Sequence, residues 1–165
     1  MWDNTQWKHT QRVLDTMGKQ LVTQYRQALQ DKDINTTEHS LSDSVKYEID
    51  MGERWIEVNL SLLDYWKYVE YGTRPHWAPK APIERWITIK PLLPVPDKNG
   101  RLLTPKQQAY LVRRKIAQYG TEAKNVLSES LNDVMDRFNE ALEEAVTKDV
   151  SAGVDILLLQ LQEPK

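Results

Sequence analysis

The chain has 165 residues, 40% of them hydrophobic and 28% charged, with a net charge of −2 and no cysteine. That length suits one compact domain with its own core, and the hydrophobic fraction argues against wholesale disorder. The missing thiols exclude disulfides, thiol catalysis and Cys-ligated zinc or iron–sulfur centres. No run approaches the roughly 18 apolar residues that a membrane span requires. The opening Met1-Trp2-Asp3-Asn4-Thr5-Gln6 has neither a cationic nor an apolar leader region, so the expected compartment is the cytosol or a particle assembled there. Six Trp and seven Tyr stand against one Phe, a bias towards side chains that serve surfaces with one apolar and one wet side.

In chain order, Val13, Leu14, Met17, Leu21, Tyr25, Ala28 and Leu29 recur at three- and four-residue steps, which predicts an amphipathic helix over residues 5–30. Gly18 weakens it locally. The period then changes to two. Leu41, Val45, Tyr47 and Ile49 form one run, and Ile56, Val58, Leu60 and Leu62 form another beyond Met51-Gly52. Together they predict an antiparallel hairpin with one buried face. A short helix follows over 63–71, ended by Gly72 at a position suited to a C′ glycine.

Pro75, Pro79 and Pro82 argue against regular structure over 73–82. Residues 83–90 can form one or two helical turns with Trp86 on the inner side, and a proline-rich loop insertion is expected at about 91–104. Thr104-Pro105-Lys106-Gln107 is a capping-box helix start with proline at the first helical position. That helix runs to Tyr119, with Ala109, Leu111 or Val112, Ile116 and Tyr119 as its apolar face, and Gly120 ends it. A last helix is expected over 122–149, broken by Ser151-Ala152-Gly153, and a C-terminal strand over 154–161. The whole reads as a single α+β domain over 1–165. A long N-terminal helix and C-terminal helices pack on a small antiparallel sheet made of the hairpin and the final strand.

Charge is segregated along the chain. Residues 1–66 are net −4, residues 67–115 net +8 and residues 116–165 net −6. A basic middle flanked by acidic ends can face a polyanion, or can supply complementary surfaces to subunits that associate head to tail. It can also be mixed over one surface by folding.

No motif supports catalysis. The six glycines are isolated, so there is no phosphate-cradling loop. His9, His39 and His76 share no helical face and no metal-ligand spacing. No cofactor and no metal site is expected. Lys67, Arg74, Lys80, Arg85, Lys90 and Arg113-Arg114-Lys115 lie among Tyr68, Tyr71, Trp77 and Trp86. This is a pattern that can hold phosphates and stack bases, although the overall charge of −2 speaks against tight sequence-specific binding.

The run Tyr65-Trp66-Lys67-Tyr68-Val69-Glu70-Tyr71-Gly72-Thr73-Arg74-Pro75-His76-Trp77 is more specific. It resembles the signature of a neck-protein family of tailed bacteriophages, the tail-completion or head–tail joining proteins. Pro79, Pro82, Ile83 and Trp86 continue the pattern. The basic stretch from Ala109-Tyr110 through Arg114-Lys115 to Tyr119-Gly120-Thr121 resembles the family's second block. The resemblance spans about residues 65–131.

It implies a structural virion protein of the head–tail connector: a homo-oligomeric ring, sixfold or twelvefold, around the DNA channel. Its neighbours would be portal or adaptor proteins and tail proteins, with non-specific proximity to genomic DNA and no membrane. Alternatives are a tail terminator protein or a DNA-binding accessory protein. On physical grounds Gly72, Thr73, Pro75 and Gly120 are structural turn residues. Arg74, His76, Trp77, Arg113, Arg114 and Lys115 are candidates for a subunit or partner interface. Arg74 is placed to pair with Glu70 one turn back or with an acid on a neighbour.

Overall fold

A computed structural model describes residues 7–34, 41–52, 55–89, 96 and 98–162. The described elements are α1 (Lys8–Asp31), α2 (Leu41–Ser44), β1 (Lys46–Met51), β2 (Ile56–Ser61), α3 (Trp66–Tyr71), α4 (Lys80–Ile89), α5 (Pro105–Tyr119) and α6 (Val126–Gln162). The mixed α+β class expected from periodicity is the one observed. Residues 91–95 and 97 of the proline-rich insertion lie outside the described residues.

The apolar stripe of α1 packs along α6, and the two helices run antiparallel. The start of α1 meets Asp149 and its end meets Glu129. Two apolar clusters fill the seam. Tyr25, Leu29, Leu41, Val45 and Val126 form one, and Leu14, Met17, Leu21 and Val134 the other. Burial of each such aliphatic side chain contributes roughly 1.5–3 kcal/mol, so this seam is the main source of cohesion. The hairpin closes one side. Tyr47 pairs with Leu60, Ile49 with Val58 and Met51 with Ile56, and these alternate residues turn towards α1 and α6. At Gly18 a side chain would collide with the Tyr47 ring, so the glycine that weakens the helix also lets the sheet approach. Tyr47 then donates to Asp15 at 2.7 Å.

Four expectations are corrected. The C-terminal strand does not exist, because α6 continues through Ser151-Ala152-Gly153 to Gln162. A strand there would need a sheet edge for its backbone groups, whereas a helix satisfies them within itself, and the leucines of 157–161 are good helix formers. The same helix begins at Val126 rather than near 122. Helix α4 also starts earlier than expected, with Pro82 in its first turn, where a missing N–H costs no hydrogen bond. Its inner residue is Ile87, 2% exposed, while Trp86 is 43% exposed.

Helices α4 and α5 pack chiefly on each other. They form an arm that joins the α1–α6 body where α3 and α5 end. Thr104 caps α5 as expected. Its hydroxyl accepts from the Gln107 N–H, and the Gln107 side chain accepts from the Thr104 N–H at 2.8 Å.

Candidate functional site

Helices α3 and α5 end in the same way. Gly72 has φ 67° and ψ −166°, and Gly120 has φ 73° and ψ −157°. A threonine follows each glycine, and these two threonines pair. The N–H of Thr73 donates to the Thr121 carbonyl at 3.0 Å, and the N–H of Thr121 to the Thr73 carbonyl at 3.1 Å. Their hydroxyls are also within hydrogen-bond distance, 3.0 Å apart. A Cβ on Gly72 would overlap the Thr121 carbonyl oxygen, and one on Gly120 the Thr73 carbonyl oxygen. Both glycines are therefore required twice, for the positive φ and for the close approach. The two Gly-Thr pairs, 48 residues apart, make one elbow.

Glu70 locks the elbow to the body. It is only 2% exposed, and its carboxylate accepts from the N–H groups of Leu127 (2.8 Å) and Ser128 (3.0 Å) and from the Ser128 hydroxyl. It thus satisfies orphan donors in the first turn of α6. The Glu70 backbone carbonyl takes the N–H of Asn125, and Val69 takes that of Lys124. The expected Glu70–Arg74 pair is replaced by this cap. Arg74 is exposed and its side chain has no hydrogen bond or ion pair among the described residues.

Asp149 does for α1 what Glu70 does for α6. Its carboxylate accepts from the N–H of Thr10 (2.7 Å), the N–H of His9 (3.1 Å) and His9 Nδ1 (2.8 Å). Burial pushes the Asp149 carboxyl up, but the bonds from Thr10 and His9 outweigh it and hold the pKa below the ordinary carboxylate value. Both caps come from residues distant in sequence, with no local signal that would reveal them.

The candidate interface residues divide. His76 turns back, donating Nδ1–H to the Arg74 carbonyl at 2.8 Å. Trp77 is 58% exposed and stacks beneath the Arg113 guanidinium, 5.4 Å from the ring centroid, with Tyr110 at 6.4 Å. Arg113 also donates Nε–H to the Ala78 carbonyl at 2.8 Å, so it ties α5 to the segment leading into α4. Arg114 and Lys115 are exposed and fall on other sides of α5, because successive helical residues turn by about 100°. Arg113, Arg114 and Lys115 therefore do not form one patch. Pro75 is exposed between Arg74 and His76.

Around the elbow, Tyr65, Tyr68, Tyr71, Trp86 and Tyr119 are all exposed. A groove of about 800 Å³ opens between α4 and α5, lined by Ile83, Trp86, Val112, Ile116 and Tyr119, with Lys115 and Lys124 also on its wall. Among the described residues, no group of three His, Asp or Glu side chains could hold a metal ion, and no helix is long and apolar enough to cross a membrane. No family model, curated protein or solved structure matches the chain.

Proposed function

We propose that this chain is a structural protein of the head–tail connector of a tailed bacteriophage. It would form a ring of identical copies around the genome channel, seated between portal-side and tail proteins. One observation carries the reading: the two blocks that bear the resemblance meet in a single elbow, through the Thr73–Thr121 bridge. Around it lie Trp and Tyr side chains, the types that dominate protein interfaces, and Arg74, whose side chain has no hydrogen bond or ion pair among the described residues. Glu70 and Asp149 are used up as helix caps, so the buried acids serve the fold, while Arg74 and the exposed face of Trp77 can serve a neighbour. The mechanism is assembly. Exposed aromatics anchor the contact, and the basic arm steers it towards an acidic surface.

The test replaces Arg74 and Trp77 together by alanine in a phage that encodes the chain. The expected result is an unchanged far-ultraviolet circular dichroism spectrum for the isolated protein and a loss of tailed or DNA-filled particles. An unfolded monomer would make the elbow internal scaffolding, and a normal particle yield would remove the interface role altogether. Salt-sensitive binding of the isolated chain to DNA, with virions intact, would favour the accessory-protein reading.

A further inference from the structure

Among the described residues, roughly the last two and a half turns of α6 have no partner. Beyond Gly153 every described residue is exposed, and Val154, Leu157, Leu158 and Leu161 run along this tip with Ile156 and Leu159 on its other sides. Six of these nine residues are apolar, and an apolar stripe this wide on a helix is built to be buried. The chain carries a second uncovered apolar surface, the α4–α5 groove, and one cannot cover the other within a molecule. The groove reaches Glu122 and Lys124, just ahead of the start of α6, whereas the tip begins at Val154, about 42 Å along α6 from Val126.

We propose that the α6 tip of one copy seats in the α4–α5 groove of the next, head to tail. This rests on the homo-oligomeric part of the connector reading and not on its setting in a virion. Charge favours this pairing. Lys115 and Lys124 stand on the groove wall against Glu122, and α5 itself carries no acid, while α6 from Glu140 onward exposes Glu140, Glu143, Glu144 and Asp155 against Lys148 alone. Tip-to-tip pairing would instead bring those acids together and leave the groove bare. Because tip and groove are different surfaces, the contact is heterologous. It propagates from copy to copy, and closes only if the rotation between copies closes.

The absence of native cysteine allows a direct test with the full chain. Leu161→Cys and Tyr119→Cys are introduced together and treated with a short bismaleimide. The expected product is a ladder of dimer, trimer and higher species, since one molecule cannot link to itself across that distance. The two single variants mixed one to one should give a heterodimer, and each alone should stay monomeric. Adding Leu157→Glu and Leu158→Glu, both exposed and harmless to helicity by circular dichroism, should cut the ladder at least tenfold. Adding Lys115→Glu should weaken it less. Overturning results are Leu161→Cys dimers formed as readily as the heterodimer, no ladder up to millimolar chain, or capture of the tip by phosphatidylcholine vesicles in place of the ladder. A ladder from a chain absent from virions would leave this contact standing and remove the connector reading. Neck density with the tip seated elsewhere would do the reverse.

Discussion

Tyr25, Leu29, Leu41, Val45 and Val126 are almost wholly withdrawn from water in the α1–α6 body, whereas the α4–α5 arm buries little beyond Ile87, Ala109 and Gln108. The body is held by apolar area. The arm is held by its attachment: a one-residue bridge, two glycines with no room for a side chain, and Arg113 clipped to the Ala78 carbonyl. The contrast shows how one small chain can keep a rigid part and a presenting part. Side chains withheld from the arm's interior, Trp77, Trp86, Tyr110 and Tyr119 among them, remain available at its surface.

Four substitutions sharpen or break that contrast. The largest effect is expected for Glu70→Ala, which strips the α6 cap and leaves buried donors unsatisfied. Urea denaturation should show a loss of about 2–3 kcal/mol, with Glu70→Gln recovering part of it. Next comes Gly120→Val, which forces a branched side chain into a positive φ against the Thr73 carbonyl. A cost of about 2 kcal/mol is expected, read by hydrogen exchange as faster amides in α4 and α5 while α1 stays protected. Equal loss in both regions would mean that the arm and body are one cooperative unit.

Asp149→Asn should cost about 1–2 kcal/mol and act on the body alone. Its effect depends on pH. The folded-state pKa of Asp149 is depressed, so its stabilisation is present above the unfolded value near pH 4 and is lost as pH falls through the lower folded value. The acid limb of the stability curve should therefore be shallower in Asp149→Asn than in the parent. The smallest effect belongs to Arg113→Lys, which keeps the charge but loses the planar stack on Trp77 and the Nε–H bond. About 1 kcal/mol is expected, with a change in the near-ultraviolet Trp signal and no change in α1 protection.

Much of the fold was legible because it is written in local periodicity. The three- and four-residue steps from Val13 to Leu29 place α1, the alternation around Gly52 places the hairpin, and Thr104 to Gln107 place the start of α5. What escaped was set by distant partners. Val154 to Leu161 is a short apolar run after Ser151-Ala152-Gly153, which periodicity alone cannot assign to strand or helix, and the lack of an adjoining edge together with the leucines decides for helix. Trp86 outranks Ile87 in size, but the phase of the short α4 turns Ile87 inward. Glu70 looked like a neighbour for Arg74 because they are one turn apart, yet its partners are 57 and 58 residues on. Gly72 and Gly120 were each readable as helix ends. That their threonines pair was not, since one bridge leaves no pattern in either segment.

The fastening of α1 along α6 carries a mechanical consequence. Asp149 grips one end of α1, and at the other Lys32 reaches Glu129 and the Lys124 carbonyl. With a pin at each end, neither rod can slip by a turn without releasing both at once. Axial load entering at the tip would reach the elbow with its direction and length preserved, as through a strut.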